Sequence, residues 1–151
     1  MRRGNLQRVG LRKGRKMEVY YYYLDRFLCK AKRLDNREWV IGHLFRSGEK
    51  AYLLRGETNG IPNMQEVDTR TLCQCTGRKD KYGNFVWEKD ILSGERFVDR
   101  GRDGVFLPDK CTVTYSEANS RFDPIGLWQP YYNSIKNYVV IGNIIDNPEL
   151  Q

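Results

Sequence analysis

Four cysteines and one histidine, Cys29, Cys73, Cys75, Cys111 and His43, are the residues whose types could hold a metal ion. Cys73 and Cys75 have the suggestive spacing: on a strand, i and i+2 share a face, so both thiolates reach one ion, with Cys29, Cys111 or His43 completing a tetrahedral set. The competing reading treats free cysteines as small core hydrophobes, and the paired C-x-x-C knuckles of zinc modules are missing from the sequence. The second reading is preferred, so neither a metal nor a cofactor is expected. His43 lies in the apolar run 39–45 with no nucleophile near it in sequence, which suits a structural imidazole better than a general acid or base. Asp80, Glu88 and Asp90 cluster along the chain, yet Glu88 and Asp90 read as carboxylates that a turn displays to solvent. No phosphate-cradling G-x-x-x-x-G-K-[ST] loop is present. An enzyme is therefore not expected.

The elements that must position these residues read as short strands. Residues 72–76 alternate small or apolar with polar, a loop from Gly77 to the turn residues Gly83 and Asn84 follows, and Val86-Trp87 and Ile91-Leu92 flank a charged turn. Upstream, 27–33 reads as a half-buried strand with Phe27, Cys29 and Ala31 on one face and Lys30 and Lys32 toward solvent. Residues 39–45 and 51–54 supply two more strands, 57–63 a loop rich in breakers, and 64–67 another short strand before Asp68, placed to cap one helical turn. Downstream, 96–98 and 104–107 form a hairpin that Pro108 ends, and 111–115 alternates cleanly. Pro130 opens a short helix through Ile135, residues 138–145 make a strand too apolar for an exposed edge, and 146–150 form a terminal turn. The expected fold is all-β with one or two short helices, either a small, partly open SH3-like barrel or a bent antiparallel sheet.

Charge divides the chain. Of 26 basic residues, seven (Arg2, Arg3, Arg8, Arg12, Lys13, Arg15 and Lys16) fall in the first 16 positions with no acid, which leaves 19 basic against 19 acidic residues in the rest. Residues 1–24 are accordingly read as a basic, tyrosine-rich extension, mobile, and 25–151 as the β domain. The extension suits phosphate-backbone binding, which makes nucleic acid one candidate partner, although Met17 could equally be the start of translation. The four tyrosines at 20–23 read as a strand, with base stacking as the alternative. No apolar run approaches the ~18 residues of a membrane span, and no h-region follows the basic start, so a cytoplasmic protein with reduced thiols and no membrane contact is expected.

Three stretches resemble one family. Cys73-Gln74-Cys75-Thr76-Gly77-Arg78-Lys79-Asp80-Lys81 through Trp87-Glu88-Lys89-Asp90-Ile91-Leu92 is similar to the core of the YopX family of phage and prophage proteins. Val140-Ile141-Gly142-Asn143-Ile144-Ile145-Asp146-Asn147-Pro148-Glu149-Leu150 is similar to its ending, and 27–42 to its opening hairpin. The resemblance runs from about residue 26 to the end. It implies a small, mainly β, cytoplasmic protein carried by a bacteriophage, with no catalytic residues to transfer. Lys89 stands where Gly or Asn is common, which argues against a positive φ at the turn before Ile91. The expected role is a non-catalytic accessory or interaction protein that binds a protein partner or self-associates, with nucleic-acid binding as the alternative. The loop Arg78, Lys79, Asp80, Lys81 and Tyr82 is its candidate contact surface.

Overall fold

The computed structural model describes residues 26–98, 100–101, 103–124 and 135–151, which form eleven strands in antiparallel sheets. The larger sheet holds β1 (Leu28–Lys32), β2 (Trp39–Ser47), β3 (Lys50–Thr58), β4 (Ile61–Val67), β5 (Cys73–Lys79) and β6 (Phe85–Trp87), in the order β4-β3-β2-β1-β5-β6. β7 (Asp90–Val98) lies between β8 (Val105–Thr112) and β11 (Ile135–Asn143), and β9 (Thr114–Ser116) pairs with β10 (Arg121–Asp123). Single 3-10 turns follow Asp68 and close the chain at Pro148–Leu150. Asp68 caps the first through Arg70 N–H, as its position suggests.

Turn chemistry explains the longest departure from the sequence pattern. Residues 57–63 are not a loop: Asn59 and Gly60, with φ of 53° and 76°, make a two-residue hairpin, and β3 and β4 run up to it on both sides. Pro62 is tolerated because β4 is an outer strand. The same holds for Pro108, which does not end its strand: it pairs with Glu95 inside β8, at the edge of the second sheet.

The larger sheet bends until the end of β4 meets the end of β1. Arg33 and Val67 form an isolated bridge, and Asp68 N–H donates to Lys32 O at 2.8 Å. Cys29, Ala31, Ala51, Leu53 and Val67 fill the concave side, joined by Val40 and Leu72. The sheets do not close into a barrel, so the bent antiparallel sheet is the architecture realised. On the other side Cys73, Cys75 and Trp87 pack with Leu28, Trp39, Ile41 and Ile145, while Val86, Leu92 and Val113 pack with Val140 and Tyr138. Phe27, expected beside Cys29 in the core, is half exposed at the start of β1.

β11 corrects a further expectation. Its apolar residues do sit at a sheet edge, since the order is β11-β7-β8. That edge is covered from outside, because Val140 N–H donates to Asp80 and Tyr138 O accepts from Lys81 N–H. The helix expected from Pro130 through Ile135 has its residues 130–134 outside the described residues, and Ile135 itself opens β11.

Gly42 marks a close backbone approach in the larger sheet. A Cβ built there would lie 2.5 Å from the carbonyl oxygen of Leu54, a backbone atom and not the end of a flexible side chain. Gly42→Ala is expected to cost about 1 to 3 kcal/mol, the range for forced overpacking, read from the urea midpoint. A variant as stable as the parent would show that the two strands separate easily.

Candidate interaction loop and the buried carboxylates

The loop between β5 and β6 is organised by one carboxylate. Asp80 Oδ1 accepts from the N–H groups of Tyr82 and Asn84, each at 2.9 Å, and Oδ2 accepts from Asn84 Nδ2 and Val140 N–H, each at 3.2 Å. Lys81 N–H reaches Tyr138 O at 3.0 Å, and Tyr138 Oη donates to Lys79 O at 2.9 Å. Burial pushes the Asp80 carboxyl up, but the donors from Asn84, Val140 and Tyr82 outweigh it and hold it below the ordinary value. Asp80 is thus buried and committed to joining the loop to β11, which removes it from the candidate contact residues. Arg78, Lys79, Lys81 and Tyr82 remain exposed. The Lys79 ammonium lies 4.9 Å from the centre of the Phe85 ring and that of Lys81 5.7 Å from Tyr82. A depression of about 230 Å³ beside them is bounded by Asn137 and Tyr138.

Asp90 does not display itself in a turn. It is 1% exposed, accepts from Trp87 N–H at 2.8 Å through Oδ2, and pairs with the Lys30 ammonium at 2.9 Å through Oδ1. Lys30, read from alternation as a solvent-side residue, lies 5.1 Å from the Trp39 ring centre and 5.5 Å from that of Trp87. Burial raises the Asp90 pKa, and the attraction of Lys30 recovers only part of that. Leu28 could have signalled this in the sequence, because an apolar residue on the lysine-bearing face of β1 means that face is packed too. Next to them Lys32 pairs with Asp146, which also accepts from Trp39 Nε1 at 2.6 Å.

Lys89 adopts φ of 69°, against the expectation drawn from its side chain. Its backbone explains why: Lys89 N–H donates to Val113 O at 2.7 Å and Lys89 O accepts from Ile144 N–H at 3.0 Å. Its ammonium caps the carbonyls of Arg70 and Leu72 at 3.1 and 2.9 Å. Those four bonds outweigh a steric cost of about 1 to 2 kcal/mol.

The cysteine pair lies in the core. Cys73 Sγ donates to Thr71 O, and burial pushes its pKa up to about 11, opposite to the low value of a reactive or ligating thiol. Burial likewise raises Cys111, to about 11, and Cys29. Among the described residues no three His, Cys, Asp or Glu side chains gather around a common point. His43 is exposed on β2. Arg2, Arg3, Arg8, Arg12, Lys13, Arg15 and Lys16 lie outside the described residues, as do the tyrosines at 20–23.

An all-β protein of open antiparallel sheets, with charged side chains spent on fixing turns and joining strands, is the class these features define. The chain belongs to the YopX family: the family model described as YopX protein matches residues 15–151. The match takes in the tyrosines at 20–23, which the motif resemblance beginning near residue 26 leaves out. No curated protein and no solved structure matches the chain. No helix among the described residues is long and apolar enough to cross a membrane.

Proposed function

We propose that this is a non-catalytic accessory protein of a phage or prophage, as the family resemblance implies, acting in the host cytoplasm by binding a protein partner or a second copy of itself. One observation carries the reading. The outward face of β2, β3 and β4 displays an apolar strip in which Phe45 opposes Tyr52 and Leu54 opposes Met64. Phe45 and Met64 are each 49% exposed, and the Phe45 and Tyr52 rings lie 6.3 Å apart. Contiguous exposed apolar surface of this kind marks protein contact sites. At this strip the contact is made by side chains, and Pro62 leaves the outer strand β4 beside it short of a donor.

The test compares wild type with a Phe45→Ser, Met64→Ser double variant. Light scattering over a concentration series and nuclease-treated capture from host cells are expected to show an association that the variant loses while its melting temperature holds. Association that is nuclease-sensitive would count against the reading, and association indifferent to both substitutions would count against the strip as its contact surface.

Segregated charge favours a second reading, in which Arg2, Arg3, Arg8, Arg12, Lys13, Arg15 and Lys16 hold a nucleic-acid backbone. Seven phosphate contacts would make log K fall with log salt at a slope of about −6 on duplex DNA. A flat salt response would dismiss it.

A further inference from the structure

β2 and β3 part company halfway along their length. Their pairing runs from Ser47 opposite Lys50 to His43 opposite Leu54 and stops, after which β3 continues with β4 alone. The remaining half of β2, Trp39 to Gly42, is paired only on its β1 side. Arg33 N–H bonds Glu38 O, so the antiparallel alternation turns the backbone groups of Trp39 and Ile41 away from β1 and into the gap. Neither Trp39 nor Ile41 has a register partner on β3.

The gap is a groove of about 410 Å³. Val40 and Leu53 form its apolar floor, and Arg55, Asn63 and Gln65 bring polar ends to its far wall. The Arg55 guanidinium has no carboxylate and no hydrogen-bond acceptor among the described residues. Backbone groups that face the gap at every second residue, with no β3 residue in register, match an extended chain and not a compact small molecule, since the repeat is that of a strand. The unmatched cation asks for an acidic group on the same face as an apolar one. The chain's own first 16 residues, all basic where charged, do not meet that requirement.

We propose that the split between β2 and β3 receives an extended peptide of a partner protein, which pairs with the backbone of Trp39 and Ile41, lays an apolar side chain over Val40 and Leu53, and presents a carboxylate to Arg55. This deepens the interaction reading by naming a site and a partner chemistry, and it is independent of the Phe45 and Met64 strip on the other face.

The probe is a blocked synthetic hexapeptide with valine second, glutamate fourth and threonine elsewhere, so that both key side chains share one face. Its counterpart carries lysine in place of glutamate. With the full-length protein, the glutamate peptide is expected to produce saturable NMR shifts centred on Trp39, Ile41 and Arg55 and to slow amide exchange at Trp39 and Ile41. The lysine peptide is expected to bind at least about ten-fold more weakly, the loss of one charge-assisted hydrogen bond. Arg55→Glu, an exposed position, should reverse that preference. Equal binding of the two peptides, or shifts centred elsewhere, would overturn the proposal. So would slow exchange at Trp39 and Ile41 without peptide: if independent of concentration, the chain fills its own groove, and if growing with concentration, a second copy does. A failed peptide with an intact strip-dependent association would sink the groove and leave the interaction reading standing.

Discussion

Asp90→Ala is expected to destabilise the protein by about 3 to 5 kcal/mol, the range for removing one partner of a buried ion pair. It leaves Lys30 charged between Trp39 and Trp87 and the Trp87 N–H without its acceptor. For a chain of this size the melting temperature should fall by roughly 6 to 20 °C. Asp90→Asn, which keeps an acceptor for Trp87, should lose less. Adding Lys30→Met to it should recover much of the remainder, because burial already costs Asp90 more than Lys30 returns. Linkage has the matching sign. The folded pKa of Asp90 is raised, so its contribution is full below the unfolded value near 3.8 and is lost as pH rises through the folded one. Urea titrations of the three variants at neutral pH provide the measurement, and an alanine variant within about 1 kcal/mol of wild type would show that water reaches Lys30 freely.

Asp80→Ala is expected to cost about 2 to 4 kcal/mol, because it orphans the N–H of Val140 on a partly buried strand while Tyr82 and Asn84 turn to water. The effect should be directional: amide exchange should quicken first along β11 and residues 78–84, since Asp80 joins the loop to that strand. Here the pH dependence runs the other way from Asp90. The folded pKa is lowered, so stability is present above the unfolded value of about 3.8 and is lost as pH falls through the folded one. Asp68, held down chiefly by Arg70 and Arg37, and Asp146, where Lys32, Trp39 and Asn143 outweigh burial, act in the same direction. Wild type should therefore lose stability in acid, and Asp80→Asn should flatten that limb by up to one proton. An unchanged acid limb in the asparagine variant would mean that Asp80 titrates alike in folded and unfolded chains.

Strand periodicity made most of β1, β2, β5, β7 and β8 legible, because alternation reports directly which side chains a half-buried sheet must hide. It failed where both faces are packed. Lys30 looks like a solvent residue until a second layer brings Asp90, Trp39 and Trp87 around it, and nothing within β1 alone announces Asp90, 60 positions away. Asp80 was singled out as part of the contact loop, and its neighbours Lys79, Lys81 and Tyr82 do remain at the surface. Its own burial follows from Val140, a residue that only the return of β11 places beside it. Asn59-Gly60 could have been read as a hairpin, since that dipeptide is the strongest short signal for a two-residue turn, but Pro62 masked it.

The sequence by itself determined the all-β class, the segregation of charge into the first 16 residues, the cap at Asp68 and the family motifs. All are local properties of composition, period or order along the chain. Tertiary structure alone decided that the sheets stay open, that burial raises the pKa of Cys73, that Asp80 and Asp90 join distant strands, and that β2 and β3 separate beside Gly42. Each of these depends on where a bend in one sheet brings residues far apart in the chain. Side-chain alternation repeats every two residues and carries no record of that bend.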